Sequence, residues 1–232
     1  MKFSLIVPCF NEAANIPDLL GRLAVVAAAP DVEVVLVDNG SIDESAGLLR
    51  DGIADYPGFR LVTVKDNLGY GHGILEGLRA ASGDVLGWTH ADLQTDPKDA
   101  LKGLELFDSH GKGIFVKGQR RGRPVQDVFF TIGMSAFESV LLQQKMWDIN
   151  AQPTMFSREF FESWEAPPWD FSLDLYAYWR AQRENLPIHR FPVEFGVRKY
   201  GVSSWNTSWA EKRKFIKRTV SFSLELRKRK PK

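Results

Sequence analysis

His90-Ala91-Asp92-Leu93-Gln94 follows directly on the apolar run Val85–Thr89 and leads into Thr95-Asp96-Pro97. In an extended segment the side chains at i and i+2 share a face, so the Asp92 carboxylate and the Gln94 amide oxygen can grip one hard cation. Such ligands suit Mg²⁺ or Mn²⁺, whose other positions go to water and substrate phosphates. His90 lies two residues back, and imidazole tolerates Mn²⁺ better than Mg²⁺. The competing reading is a strand end followed by a turn begun by Asp96-Pro97.

Other residues could serve the same chemistry. Asp38-Asn39-Gly40-Ser41 offers a carboxylate to a base or ribose and a glycine that lets the backbone approach, although alone it reads as a plain turn. Arg120, Arg121 and Arg123 sit on the glycine-containing loop 118–124, with Arg198 and Lys199 in a second basic pair. Either cluster could neutralise a diphosphate or a phosphate acceptor; for Arg121 a solvated loop is the simpler reading. Asp148 and Asp174 are candidate general bases for a hydroxyl acceptor, with capping or ion pairing as the alternative for each. Gly69-Tyr70-Gly71-His72-Gly73 does not fit the dinucleotide fingerprint, and no phosphate-loop motif is present.

The elements that must position these residues alternate. Strand patterns at 3–7, 32–37, 59–64 and 85–89 are separated by helical patterns at 16–29, from about 41 to 54, and at 73–81. That rhythm predicts a doubly wound, mostly parallel α/β sheet with helices on both faces. Ligands in such sheets bind at the carboxyl ends of the strands, where Asn11-Glu12, Asp38, Asn67 and His90/Asp92 all fall. The second half is less regular: a strand at 114–117, helices at 129–142 and 171–183, a strand or loop at 148–156 and a strand at 188–197. Residues 1–204 read as one domain, with a nucleotide-sugar half to 120 and an acceptor half to 204. A basic helix or tail occupies 205–232.

Composition narrows the classes. The 232 residues are 44% hydrophobic and 25% charged, as in an ordinary globular protein. One cysteine, Cys9, excludes an intramolecular disulfide and a cysteine-based zinc site. No run of about 18 consecutive apolar residues occurs, so a soluble or peripheral protein is expected. From Trp205 to Lys232 ten Lys/Arg face two Asp/Glu, a local charge of +8 within a net charge of +1. A basic tail on an acidic body is expected to meet an anionic membrane surface rather than nucleic acid; a solvated helix is the plainer alternative.

The ordered set Pro8-x-Phe10-Asn11-Glu12, Val37-Asp38-Asn39-Gly40-Ser41-x-Asp43, Asn67-x-Gly69, Gly77, Gly83-Asp84 and Ala91-Asp92-Leu93-Gln94-x-Asp96-Pro97 resembles family 2 glycosyltransferases of GT-A fold. More narrowly, it is similar to the polyprenyl-phosphate (dolichyl-phosphate) mannosyl- and glucosyltransferases. The likeness covers about the first 120 residues and continues more loosely through Gly118-Gln119-Arg120, Asp148-x-Asn150, Asp174 and Arg198-x-x-Gly201-x-Ser203.

The resemblance implies inverting transfer of a hexose from a GDP- or UDP-sugar to a lipid phosphate, with Mg²⁺ or Mn²⁺ as cofactor. Pro8, Phe10, Asn11, Glu12, Asp38, Asn67, Gly69, His90 and Ala91 would hold the nucleotide sugar, and Asp92 and Gln94 the metal. Arg120 and Arg198 would meet phosphates. His90 departs from the family's usual aspartate, and Asn150-Ala151-Gln152-Pro153-Thr154 from its usual Thr-Ser-Gly-Phe-Arg. A cytoplasmic enzyme, peripheral at the inner face of the membrane and open to a membrane partner subunit, is expected. The alternatives are a hydroxyl-acceptor glycosyltransferase of surface polysaccharide assembly, a nucleotidyltransferase, and a catalytically inactive sugar-nucleotide-binding protein.

Overall fold

The computed structural model describes residues 1–54, 56–198, 200 and 209–229, the side chains of residues 209–212, 214 and 215 excepted. Seven strands form one sheet: β1 (Phe3–Cys9), β2 (Val32–Asn39), β3 (Phe59–Val64), β4 (Val85–Trp88), β5 (Phe115–Arg121), β6 (Thr154–Ser157) and β7 (Ile188–Glu194). Their order is β3-β2-β1-β4-β6-β5-β7. All pairings are parallel except those of β6, which runs antiparallel to both β4 and β5. The expected doubly wound, mostly parallel sheet is what forms.

Helices α1 (Ile16–Ala27), α2 (Ser45–Gly52), α3 (Tyr70–Ala80) and α4 (Asp99–His110) connect the first five strands. Helices α5 (Val125–Leu142), α6 (Arg158–Glu162), α7 (Leu173–Arg183) and α8 (Trp209–Lys228) complete the described chain. Successive strand residues face opposite ways, and both faces are buried. Leu5, Val7, Val34 and Leu36 join the core beneath α1, while Ile6, Val35 and Val37 join the one beneath α3 and α7. This double burial is why β1 and β2 read as nearly continuous apolar runs. Gly77 lets α3 lie close to the sheet, since a Cβ there would sit 2.5 Å from Ile6 Cγ2.

Several elements differ from the sequence expectation. Strand β5 runs on through Arg121, so Arg120 and Arg121 lie on a strand and not on a loop from 118, because residues 118–121 continue the ladder with β7. The short α6 was not expected. Helix α4 was not anticipated, because its buried face is made of Ala100, Gly103 and Phe107, two of them too small to give a hydrophobic period. Helix α5 starts at Val125 and is long and apolar enough by length and composition to cross a membrane. That corrects the expectation that no such helix is encoded. Gln126, Asp127, Thr131, Ser135, Glu138 and Ser139 interrupt the run, so a count of consecutive apolar residues passes over it. Only 11% of α5 is buried in the protein.

Candidate functional site

The loops after β1 and β2 are laced together. Asn11 adopts a left-handed φ of 53°; its N–H donates to Ser41 Oγ at 3.2 Å, and its Oδ1 accepts from the Ile42 N–H at 2.9 Å. The Glu12 N–H donates to Ser45 Oγ at 2.9 Å, and the Ser41 N–H donates to Asp38 Oδ1 at 3.0 Å. Asp38 is thereby fixed at the strand end while almost fully buried. Burial pushes the Glu12 carboxyl above its ordinary value, with Asn15 and Arg198 opposing the shift and Asp92 and Asp43 adding to it. Phe10 stands exposed beside this loop pair, and Pro8 pairs in register with Val37, one step before Cys9 meets Asp38.

The third strand end is held by a different part of the chain. The Gly69 N–H donates to Asn67 Oδ1 at 2.9 Å, and Gly69 O accepts from Asn39 Nδ2 at 3.0 Å. Gly69 has φ 131°, and a Cβ there would collide with the Trp169 carbonyl, so only glycine fits. The next residue, Tyr70, stacks on His90 with ring centroids 5.6 Å apart and on Phe171 at 4.6 Å. Arg218 of α8 lies over Phe171 at 5.6 Å and pairs with Asp170 at 3.2 Å. A line of stacked groups thus runs from His90 to the basic helix.

At the fourth strand end Asp92 is nearly buried. Its Oδ1 accepts the Gln94 N–H at 3.1 Å and its Oδ2 accepts Arg198 Nη2 at 2.6 Å. Gln94 Nε2 donates to Gly196 O at 3.2 Å, and the Gly196 N–H donates to Gln94 O at 2.7 Å. The segment after β7 is therefore pinned against the candidate metal ligands. Among the described residues no group of three or more His, Cys, Asp or Glu is placed to hold a metal ion. One carboxylate and one amide oxygen still fit a hard cation whose shell is completed by a diphosphate, with Arg198 marking the position of positive charge on Asp92.

Beyond β4 several charges are held as buried pairs. Arg120 grips Asp148 through Nε at 2.9 Å and through Nη2, and its backbone N–H donates to Asp148 Oδ2 at 3.1 Å. Arg123 adds a contact at 3.7 Å. Burial opposes charge on Asp148, yet these arginines hold its carboxyl below its ordinary value. Both guanidinium groups also lie over the Phe195 ring, at 5.3 and 5.7 Å. They line a pocket of about 250 Å³ with Arg121, Thr131, Trp147 and Asp148. A larger hollow of about 450 Å³ lies instead between α8 and Pro168–Asp170, bordered by Leu68.

Asp174 is 2% exposed. It accepts from Gln152 Nε2 at 2.7 Å and pairs with Lys117 Nζ at 3.8 Å, which itself donates to Thr154 Oγ1 at 2.6 Å. Burial pulls the Lys117 ammonium down to about 7, with Asp174 partly offsetting it. The Tyr70 hydroxyl is buried near Asp174 and Trp88, and burial pushes it well above its ordinary value, with Asp174 adding to the shift.

The structure thus brings Glu12, Asp92, Gln94 and Arg198 together and joins Arg120 to Asp148. Asp174 stands apart in its own buried cluster. Arg123 belongs to the basic cluster that the sequence offers for a phosphate, whereas Lys117, Gln152 and Tyr70 are not among the sequence's candidate site residues. A lysine inside an apolar strand is the signal that could have found Lys117.

The sequence model of glycosyl transferase family 2 matches residues 4–164. The chain belongs to this family. An undecaprenyl-phosphate 4-deoxy-4-formamido-L-arabinose transferase of Enterobacter sp. (strain 638) is 29% identical over 209 residues, covering 86% of this chain and 62% of its own length. The protein of the same description from Aeromonas hydrophila is 36% identical over 131 residues, 55% of this chain and 39% of that one. The chain therefore spans less than two thirds of these curated relatives. Among solved structures, glucosyl-3-phosphoglycerate synthase from Mycobacterium tuberculosis with Mn²⁺, UDP and phosphoglyceric acid aligns with TM-score 0.74 at 19% identity, covering 98% and 78% of the two chains. A mannosyltransferase from Pyrobaculum calidifontis with GDP-Man and Mn²⁺ gives 0.70 at 20% identity, covering 100% and 66%. The family 2 chain shares the GT-A fold of these structures.

Proposed function

We propose that this family 2 protein transfers a hexose, with inversion, from a nucleotide diphosphate sugar to a polyprenyl-phosphate-type lipid. The observation that carries this reading is the segment after β7. Phe195 lies beneath Arg120 and Arg123, Gly196 is bonded to Gln94, and Arg198 holds Asp92. Three residue steps reach at most about 10–11 Å, so one short stretch of backbone joins the arginine pocket to the candidate diphosphate site. That is the arrangement a transfer between two phosphate-bearing substrates needs.

Within it Asp38 and the Asn11–Glu12 loop would take the nucleoside, and Arg198 would pass from Asp92 to the departing diphosphate. Asp92 and Gln94 would hold Mg²⁺ or Mn²⁺, which supplies positive charge for the leaving group when bound. UDP or GDP sugars and Mn²⁺, named with the similar structures, agree with this donor set. Arg120 and Arg123 form a fixed cationic frame for an incoming phosphate.

A lipid phosphate is already anionic and needs little or no general base, whereas a sugar hydroxyl needs one. Asp148 is committed to two arginines, and Asp174 to Lys117 and Gln152, so both serve as positioning residues in this reading. The curated relatives are named for transfer to undecaprenyl phosphate, which points the same way. Incubation of UDP- and GDP-hexoses with polyprenyl phosphate, read by product mass, tests it. A polyprenyl-phosphate hexose is expected. A glycosylated free sugar, or pyrophosphate released from the nucleotide, would overturn the acceptor or the reaction.

A further inference from the structure

Helix α5 is built inside out. Its inward stripe is mostly polar: Asp127, Thr131, Ser135 and Glu138 face the protein, and only at its end does Leu142 join the core. Of its ten exposed residues only Gln126 has a polar side chain, and none is charged. Val125, Phe129 and Val140 are 69%, 68% and 80% exposed, with Phe130, Ile132 and Phe137 beside them. A surface helix in water carries the reverse pattern, and a contiguous apolar face of this size marks an interaction site.

The inward polar residues have specific partners. Thr131 Oγ1 accepts from Arg123 Nη1 at 2.8 Å, and Asp127 O accepts from Arg123 Nη2 at 3.2 Å. Glu138 Oε1 accepts from Ser223 Oγ of α8 at 2.8 Å. The helix is thus locked in this orientation by the arginine pocket at one end and by α8 near the other.

We propose that α5 is the element by which this protein enters an anionic membrane, lying in the interface plane with its apolar face among the acyl chains. One side stays bonded to protein, so the helix lies on the bilayer and does not cross it. At about 1.5 Å per residue it runs about 27 Å along the surface. Basic residues complement an anionic headgroup layer: Arg121 before the helix, Lys145 after it, and Lys217, Arg227 and Lys228 on the neighbouring α8, all exposed. The arginine pocket shares Val128 and Thr131 with α5, so a lipid phosphate would reach it at the level of the headgroups. What the docking serves rests on the lipid-phosphate reading above; whether docking occurs does not.

The test is co-sedimentation of the full chain with vesicles of phosphatidylcholine alone and with added phosphatidylglycerol. The double variant Phe129→Gln with Val140→Gln changes only exposed side chains. It is expected to bind roughly tenfold more weakly or worse, given the apolar area removed from lipid. The variant Arg227→Gln with Lys228→Gln should lose only the salt-sensitive part of binding. With a short, water-soluble prenyl phosphate the first variant should keep the parental transfer rate. Three results would overturn the proposal: no binding of the parent to either vesicle, unchanged binding of the Phe129/Val140 variant, or a parental dimer that this variant converts to monomer in the absence of vesicle binding. A parent that binds vesicles through α5 but glycosylates no prenyl phosphate would sink the acceptor reading and leave the docking intact.

Discussion

At the ends of β1, β2 and β4, Glu12, Asp38 and Asp92 are held by short polar contacts: Asn15 on the first, the Ser41 amide on the second, the Gln94 amide and Arg198 on the third. Across β5 and β6, by contrast, Asp148 and Asp174 are buried against Arg120, Arg123 and Lys117. In the proposed function the first arrangement leaves carboxylates to exchange partners for a cation or a ribose. In the second, carboxylates anchor basic groups: Arg120 and Arg123, which line a pocket, and the fully buried Lys117. The two halves of one sheet therefore use the same residue types for opposite ends, and a substitution should hit activity in one half and folding in the other.

The sharpest contrast is predicted at the two aspartates. Asp92→Asn should lower transfer by roughly a thousandfold or more, the scale of losing a charge that organises transition-state stabilisation, with an unchanged denaturation midpoint. A midpoint that falls together with the rate would place Asp92 among the structural pairs instead. Arg120→Ala removes the guanidinium and leaves the buried Asp148 carboxylate with the residue 120 backbone N–H and the longer Arg123 contact. Breaking such a pair costs about 3 kcal/mol or more, to be read from urea unfolding; a loss below about 1 kcal/mol would mean that the pair behaves as a surface one. Gly69→Ala forces a side chain into a φ of 131° and against the Trp169 carbonyl. It should destabilise by about 1–3 kcal/mol and raise KM for the nucleotide sugar, whereas a neutral substitution would show that the 168–170 segment yields freely.

The smallest expected effect is one of pH. Burial raises the Glu138 carboxyl to about 7, with the Ser223 hydroxyl opposing. A raised folded value means the native state holds this proton more tightly than the unfolded chain. The stability from this group is full below the ordinary carboxylate range and is lost as pH rises through about 7. Glu138→Gln should therefore make the chain more stable than its parent at pH 8 by roughly 1–2 kcal/mol, and no more stable at pH 4. Equal effects at both pH values would contradict it. Asp148 runs the other way: its lowered value contributes stability that disappears only as pH falls below the usual carboxylate range.

Legibility in the sequence follows the same division. The parallel half could be read because each strand is an apolar run closed by a polar cluster, so Asn11, Asp38, Asn67 and Asp92 fall at strand ends by arithmetic alone. Which groups pair across the acceptor half could not. Arg120 meets Asp148 over 28 residues and Lys117 meets Asp174 over 57, through an antiparallel strand, β6, inserted between β4 and β5. The sequence shows α5 as apolar but not which side faces in, since its polar inner stripe has meaning only once Arg123 and Ser223 are beside it. The motif Arg198-x-x-Gly201-x-Ser203 and Trp205 extend beyond the described residues, and the expected tail docking rests partly on them.

That donor and acceptor are held by separate halves joined through Phe195–Arg198 is tested most directly by nucleoside diphosphate release, measured with and without polyprenyl phosphate. In the parent, release should rise sharply when the acceptor is added. Arg123→Ala should keep the slow, acceptor-independent hydrolysis and lose most of the stimulation, because Arg123 touches only the acceptor frame. Loss of both activities in the same proportion, from a variant that remains folded, would contradict the division.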